Sequence, residues 1–275
     1  MAVSRPCLNW GASDVTNKHG DFIWYELMTS DAKAAAVFYG KVVGWIANDA
    51  DMPGMDYRMF AMAGEEAVAG LMALTPEMGS GGAMPGWFGY VGVDDVDKMV
   101  ASITDGGGAM HVEPQDIPGV GRFAMVADPQ GASFYVMRSA SDKASLSFAS
   151  DMPRVGHCAW NELSTSDQPA AHHFYGQRFG WVQDGDMDMG PLGKYDFLRH
   201  GDGMIGAIMP KIPEMPVSAW TYYFRVADID AAQEAIEMNG GSITQPPIEI
   251  PGGDLSLCAI DPQGASFGLV GARKG

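Results

Sequence analysis

The chain is short of cysteine, of positive charge and of long apolar runs, and each shortage removes a class of function. Its three cysteines, Cys7, Cys158 and Cys258, are scattered through 275 residues. An odd, dispersed set is neither a disulfide framework nor a metal-binding pair spacing, and it points to a reducing cytoplasm. Cys158 lies in an apolar stretch, where a small buried hydrophobe is expected rather than a nucleophile. Seventeen Lys and Arg stand against 34 Asp and Glu, a net charge of −17, with no basic block. Such a surface repels phosphate backbones and anionic headgroups, so no nucleic acid and no membrane is expected as a partner. No apolar run approaches the roughly 20 residues of a membrane span, and the N-terminus shows no charged-then-apolar leader. The rest of the composition, 47% hydrophobic and 19% charged, suffices to bury two ordinary cores.

What is present is present twice. Trp24 to Trp45 returns as Trp160 to Trp181, an offset of 136, with 13 identities in 22 positions. Both contain Trp-x-Glu-Leu-x-Thr-Ser-Asp, Phe-Tyr-Gly and Gly-Trp. Later parts repeat at an offset of 133, ending with Asp128 to Phe134, which recurs unchanged as Asp261 to Phe267. Units of about 125 residues are domain-sized, so this is a duplicated domain and not a solenoid. The expected division is an N-terminal extension (1–20), a first domain (21–139), a linker (140–155) and a second domain (156–272).

Within the first copy, Phe22 to Met28 reads as a strand, rich in aromatic and branched residues. Thr29-Ser30-Asp31 then caps a helix over Ala32 to Val43, closed by Gly44. Short strands are expected at 45–48, 57–62 and 67–73. The scheme then restarts with a strand at 88–93, a helix at 94–104 capped by Asp94 or Asp95, and strands at 109–112, 122–126 and 133–137. Each copy is thus strand–helix–three strands, twice over, and the chain holds four such units.

This order, with Asp31 to Tyr39 and Asp167 to Tyr175, Val-Asp-Asp-Val-Asp at 93–97, the Gly-Gly pairs and both Asp-Pro-Gln-Gly turns, resembles the vicinal oxygen chelate superfamily. That group contains glyoxalase I, bleomycin-resistance proteins and extradiol dioxygenases. The resemblance covers residues 20 to 272, and the two-domain glyoxalase-like subgroup, sometimes labelled hydroxylases, is the nearest match. It implies an α+β fold of four βαβββ units forming two tandem domains, each an open sheet cup with helices on the convex face. Whether neighbouring units build each cup, or the copies exchange units, stays open.

The resemblance also implies a divalent ion held by His or Glu on the first, fourth, fifth and eighth strands of a cup. Counting from Asp31 and Asp167, the first-strand positions are Trp24 and Trp160. The fifth-strand positions are Phe88 and Thr221, and the eighth-strand positions Tyr135 and Gly268. The fourth-strand positions fall near Gly70 and Gly206. None is a good ligand, and a catalytic site needs at least three. No metal and no cofactor is therefore expected.

Strand alternation names what lines the cups. Trp24, Glu26, Met28, Phe88, Tyr90 and Tyr135 should face inward in the first, an aromatic and methionine wall suited to a flat apolar ligand. Trp160, Glu162, Ser164, Thr221, Tyr223 and Arg225 should face inward in the second, which is smaller-lined and more polar. Glu26 and Glu162 are the candidate catalytic residues, since a carboxylate facing an aromatic cavity has a raised pKa and suits a general base. The competing reading is that each merely ties backbone amides, a Tyr or an Arg together. Tyr90 and Tyr223 are cavity hydroxyls or packed rings, and Arg225 meets a ligand anion or, preferably, Glu162.

Other features weigh less. His172 and His173 are adjacent on a helix, about 100° apart, and are expected on its solvent side, unable to share an ion. His19, His111, His157 and His200 are expected to be structural. Asp94, Asp95 and Asp97 suit a helix start rather than a calcium site. Three functions follow in order: a metal-free carrier or sequestration protein for an apolar or aromatic small molecule, a metal-independent lyase or isomerase using Glu26 or Glu162, and a protein-interaction module. A homodimer is left open.

Overall fold

The computed structural model describes residues 16–50, 52, 55–141, 143–149 and 153–274. Cys7 and most of the 1–20 extension lie outside the described residues. The first copy runs β1 (Phe22–Thr29), α1 (Ala32–Val42), β2 (Ile46–Asp49), β3 (Tyr57–Ala61), β4 (Ala67–Ala73), α2 (Pro76–Ser80), β5 (Gly86–Gly92), α3 (Val96–Asp105), β6 (Ala109–Ile117), β7 (Gly121–Ala127) and β8 (Ser133–Ser139). The second runs β9 (Cys158–Thr165), α4 (Gln168–Phe179), β10 (Val182–Asp188), β11 (Lys194–His200), β12 (Gly203–Pro210), β13 (Ala219–Arg225), α5 (Ile229–Met238), β14 (Ser242–Glu249), β15 (Leu255–Ile260) and β16 (Ser266–Gly271).

Local chemistry starts the helices. Asp31 and Asp167 each accept a hydrogen bond from the amide three residues on, at 2.9 and 3.0 Å. Asp95, not Asp94, does the same for α3, accepting from Lys98 N–H at 3.0 Å. Each such cap is worth about 1 kcal/mol. Asp97 meanwhile holds Arg122 at 2.7 Å, so this acidic stretch is already engaged. The short α2, which the sequence reading passes over, starts at Pro76 behind the capping Thr75.

The strands form two open sheets, ordered β2-β3-β4-β1-β5-β8-β7-β6 and β10-β11-β12-β9-β13-β16-β15-β14. The two units of one copy join through the antiparallel pairs β1–β5 and β9–β13. Neighbouring units therefore build each cup, and no unit is exchanged. The edges are blunted: β14 carries Pro246 and Pro247, and β10 exposes Asp184, Asp186 and Asp188. Among the described residues, no helix is long and apolar enough to cross a membrane.

One face of each sheet packs against the other copy, and a single apolar core spans both. Tyr25 meets Tyr222 edge-on at 5.2 Å, Trp45 meets Phe224 at 5.0 Å, and Phe22 stacks on Trp181 at 5.2 Å. The duplicated motifs supply the polar contacts inside this core, in matched pairs. Trp45 Nε1 donates to Gly156 O at 2.9 Å and Trp181 Nε1 to Gly20 O at 2.8 Å. Tyr39 Oη donates to Asp261 Oδ2 at 3.1 Å and Tyr175 Oη to Asp128 Oδ2 at 3.0 Å. Those hydroxyls in turn accept from Trp87 and Trp220. The Gly-Trp, Phe-Tyr-Gly and Asp-Pro-Gln-Gly repeats are therefore the fastening between domains. Cys158 is buried in the same core, and burial pushes its thiol up to about 12, as befits an inert packing residue.

Candidate functional site

The other face of each sheet is the inside of a cup. In the first, β1 places Trp24, Glu26 and Met28 on that face, opposite Tyr90 and Phe88 of β5. Glu26 is 4% exposed. Its Oε1 accepts from Tyr90 Oη at 3.1 Å, and the Tyr57 hydroxyl of β3 is its second donor. Tyr57 itself accepts from Trp24 Nε1 at 3.2 Å. A side chain at Gly70, which pairs with Glu26 across β1–β4, would collide with the Tyr57 hydroxyl. The bare glycine is what lets that phenol reach the carboxylate.

The second cup repeats the constellation. Trp160 Nε1 donates to Tyr195 Oη at 2.7 Å, and Tyr195 Oη donates to Glu162 Oε2 at 2.8 Å. Tyr223 Oη reaches Glu162 Oε1 at 3.2 Å. Tyr57 and Tyr195 were missed by the sequence reading because they stand 138 apart, outside both repeat offsets. A tyrosine at the first or second place of the third strand of each copy was the available signal.

The electrostatics follow from burial. Loss of water raises Glu26 from 4.5 to about 7, even though two phenols stabilise its anion. The same balance raises Glu162. Burial and the adjacent carboxylates push Tyr57, Tyr90, Tyr195 and Tyr223 far above the ordinary phenol value, so all four remain hydrogen-bond donors. Each cup therefore holds one proton-exchanging group inside a ring of fixed donors.

The two cups differ in filling. In the first, Tyr135 stacks on Tyr90 at 4.2 Å with an interplanar angle of 11°, and Ile23, Met28, Met72 and Met137 close a buried cluster around them. Trp24, Tyr57, Phe88, Phe123 and Met125 remain half-buried around it. In the second, Glu162, Trp160, Tyr195, Phe197, Thr221 and Cys258 are all half-buried. Tyr223 leans over Gly268, where any Cβ would strike its ring, and its hydroxyl lies 3.2 Å from Cys258 Sγ.

Three sequence readings need correction. Arg225 does not bridge to Glu162: its guanidinium pairs with Asp254 at 2.8 Å, from the turn before β15. The fourth-strand counterpart of Gly70 is Ala207, one residue beyond Gly206: Gly70 pairs with Glu26 and Ala207 with Glu162, so the repeat offset is 136 on the first strands and 137 on the fourth. His172 is not on the solvent side: its ring is half-buried and meets Asp196 Oδ2 at 2.9 Å. His173 is exposed as expected.

The donor set does not fit a divalent ion. Each cup offers one carboxylate, already held by two phenols that stay protonated, with an indole beside it. Among the described residues, no three of His, Cys, Asp and Glu converge anywhere.

A model of the family described as the Glyoxalase/Bleomycin resistance protein/Dioxygenase superfamily matches residues 22–136 and again 154–269. Over 250 residues the chain is 32% identical to "Putative glyoxylase CFP32" of Mycobacterium tuberculosis (strain CDC 1551 / Oshkosh), covering 90% of this chain and 93% of that one. It is 33% identical over 273 residues to "Anthracycline biosynthesis protein DnrV" of Streptomyces peucetius, covering 92% and 93%. Among solved structures, the Mn(II)-bound glyoxalase from Novosphingobium aromaticivorans superposes with a TM-score of 0.62 at 17% identity, covering 94% of this chain and 84% of that one. The 2,3-dioxygenase LapB from Pseudomonas sp. KL28 gives 0.62 at 14%, covering 94% of both. At such identities these two structures speak to the fold alone.

Proposed function

The chain belongs to the glyoxalase/bleomycin resistance protein/dioxygenase superfamily, and we propose that this member works without a metal, binding a small apolar or aromatic organic molecule at a tyrosine-held glutamate inside a cup. The observation that carries this reading is the duplicated Trp–Tyr–Glu–Tyr network, Trp24/Tyr57/Glu26/Tyr90 and Trp160/Tyr195/Glu162/Tyr223, facing half-buried aromatic rims. A carboxylate between two phenols is a hydrogen-bonding anchor, and the surrounding rings supply the apolar area. Relatives named for anthracycline biosynthesis agree with an aromatic ligand.

A thermal-shift screen of a metabolite library, run with and without divalent ions, tests the proposal. A ligand at 100 times its Kd should add about 2.7 kcal/mol, or roughly 5 °C for a chain of this size. The shift should be the same with or without metal and should shrink in Tyr195→Phe. A library that moves nothing, or only with metal present, would overturn it.

A second reading has one observation in its favour: Glu162 is both reachable and raised in pKa, which suits a base in a lyase or isomerase. Glu162→Gln separates the two. Ligand affinity kept with turnover lost identifies an enzyme; a wild type that binds without turnover, and a variant that binds less tightly, identify a carrier.

A further inference from the structure

The copies share the network but not the side chains around it. The first cup is closed by its own rings: Phe88 meets Tyr135 edge-on at 6.2 Å, Phe123 meets it at 6.0 Å, and Tyr135 lies flat on Tyr90. At the matching places of the second copy, 133 residues on, stand Thr221, Ser256 and Gly268. Met125 and Met28 likewise give way to Cys258 and Ser164. Three rings and two long thioethers are thus replaced by small groups beside an unchanged Trp–Tyr–Glu–Tyr set. Tyr223 takes up part of the vacated room by leaning over Gly268, and Ser256 and Ser164 are themselves buried, but Thr221 and Cys258 stay half-buried beside a Glu162 that is more exposed than Glu26.

We propose that the second cup is the ligand site, that the first is filled by its own Tyr135, and that the ligand is a neutral, planar aromatic molecule bearing a hydroxyl group. This rests on the small-molecule reading above and names its site and ligand class. The planar aromatic body follows from the half-buried rings of Trp160, Tyr195 and Phe197, which offer flat apolar faces. The hydroxyl follows from Glu162: each carboxylate oxygen takes one phenol, and each keeps a lone pair for another donor. Neutrality follows from charge. An anion would sit against Glu162, and the nearby cation Arg225 is already matched by Asp254. Thr221 then sets specificity by leaving the space that Phe88 occupies in the other copy, and Gly268 does so by letting the Tyr223 ring lean aside over it.

Isothermal titration of the full chain with 1-naphthol, 1-naphthoate and 1-decanol tests this. The wild type should take one naphthol per chain, with naphthoate and decanol weaker by roughly tenfold or more. Gly268→Tyr and Thr221→Phe should each weaken naphthol by a similar factor. Tyr135→Gly should leave that site intact and open a second one. Thr221→Phe lies on the rim and keeps the test decisive should Gly268→Tyr fail to fold. Naphthol affinity unchanged in Thr221→Phe, or lost in Tyr135→Gly, would overturn the assignment of the cup while leaving small-molecule binding in place. Decanol or naphthoate binding as tightly as naphthol would overturn the ligand class alone. No binding by any of the three would end this inference, and an accompanying blank library screen would end the broader reading too.

Discussion

Replacing Glu26 by Gln should make the protein more stable in alkali and nearly neutral in acid. The folded carboxyl holds its proton up to about pH 7, whereas its ordinary value is 4.5. Between those values the native state binds one proton more than the unfolded chain. Stability therefore falls as pH rises through that window, by about 1.4 kcal/mol per unit. The full loss is about 3 kcal/mol. Glutamine keeps the shape and an acceptor for the tyrosines but has no proton to lose. Relative to wild type it should show a small fixed offset at pH 4, from one reoriented hydrogen bond, and a gain of about 3 kcal/mol by pH 8.5. For a chain of this length that is roughly 6 °C in thermal midpoint. Paired calorimetric scans of the two proteins between pH 4 and 9 measure it, and the difference curve cancels every other titrating group. A difference that stays flat with pH would show that Glu26 titrates normally and that the first cup does not isolate it from water.

Tyr175→Phe should cost about 1–3 kcal/mol in urea unfolding, since it strands the Trp220 N–H and an oxygen of Asp128 inside the interdomain core. Tyr39→Phe should match it, because the same contacts recur with Trp87 and Asp261. Exhaustive dialysis against a chelator should leave the thermal midpoint and circular dichroism unchanged, given the donor sets of the two cups. A drop of several degrees, reversed by one metal, would show an ion held where none is expected.

The fold was legible because the chain states it twice. A match of Trp24–Trp45 to Trp160–Trp181, and of Asp128–Phe134 to Asp261–Phe267, could place strands, helix caps and turns together. The inward set Trp24, Glu26, Tyr90 and its counterpart Trp160, Glu162, Tyr223 followed from alternation once the family resemblance set Trp24 and Trp160 on the cup face, since a strand admits only two faces. The tyrosines that complete each network did not follow. Tyr57 and Tyr195 reach their glutamates across β4 and β12, and loop-length differences before the third strand shift them off the repeat. Arg225 found Asp254 rather than Glu162 because its neighbour comes from a turn about 30 residues on, which no periodicity in β13 announces. The fourth strand moved by one place for a related reason: the segments between the first and fourth strands differ in length by one residue, which sets Ala207 rather than Gly206 opposite Glu162.

The same geometry explains why the fastening residues match between the copies. Tyr39, Trp45, Trp87 and Asp128 each have a counterpart at the repeat offset, and each is tied to the opposite copy or to a residue that is. Changing one strands a buried partner in the other domain, at a cost comparable to a large share of the stability margin. Tyr135, Phe88, Phe123 and Met125 touch only their own cup, so substitutions there affect one domain and leave the fastening intact. A duplicated chain fastened back to back can fill one cup to anchor the fold and leave the other cup free to take a ligand.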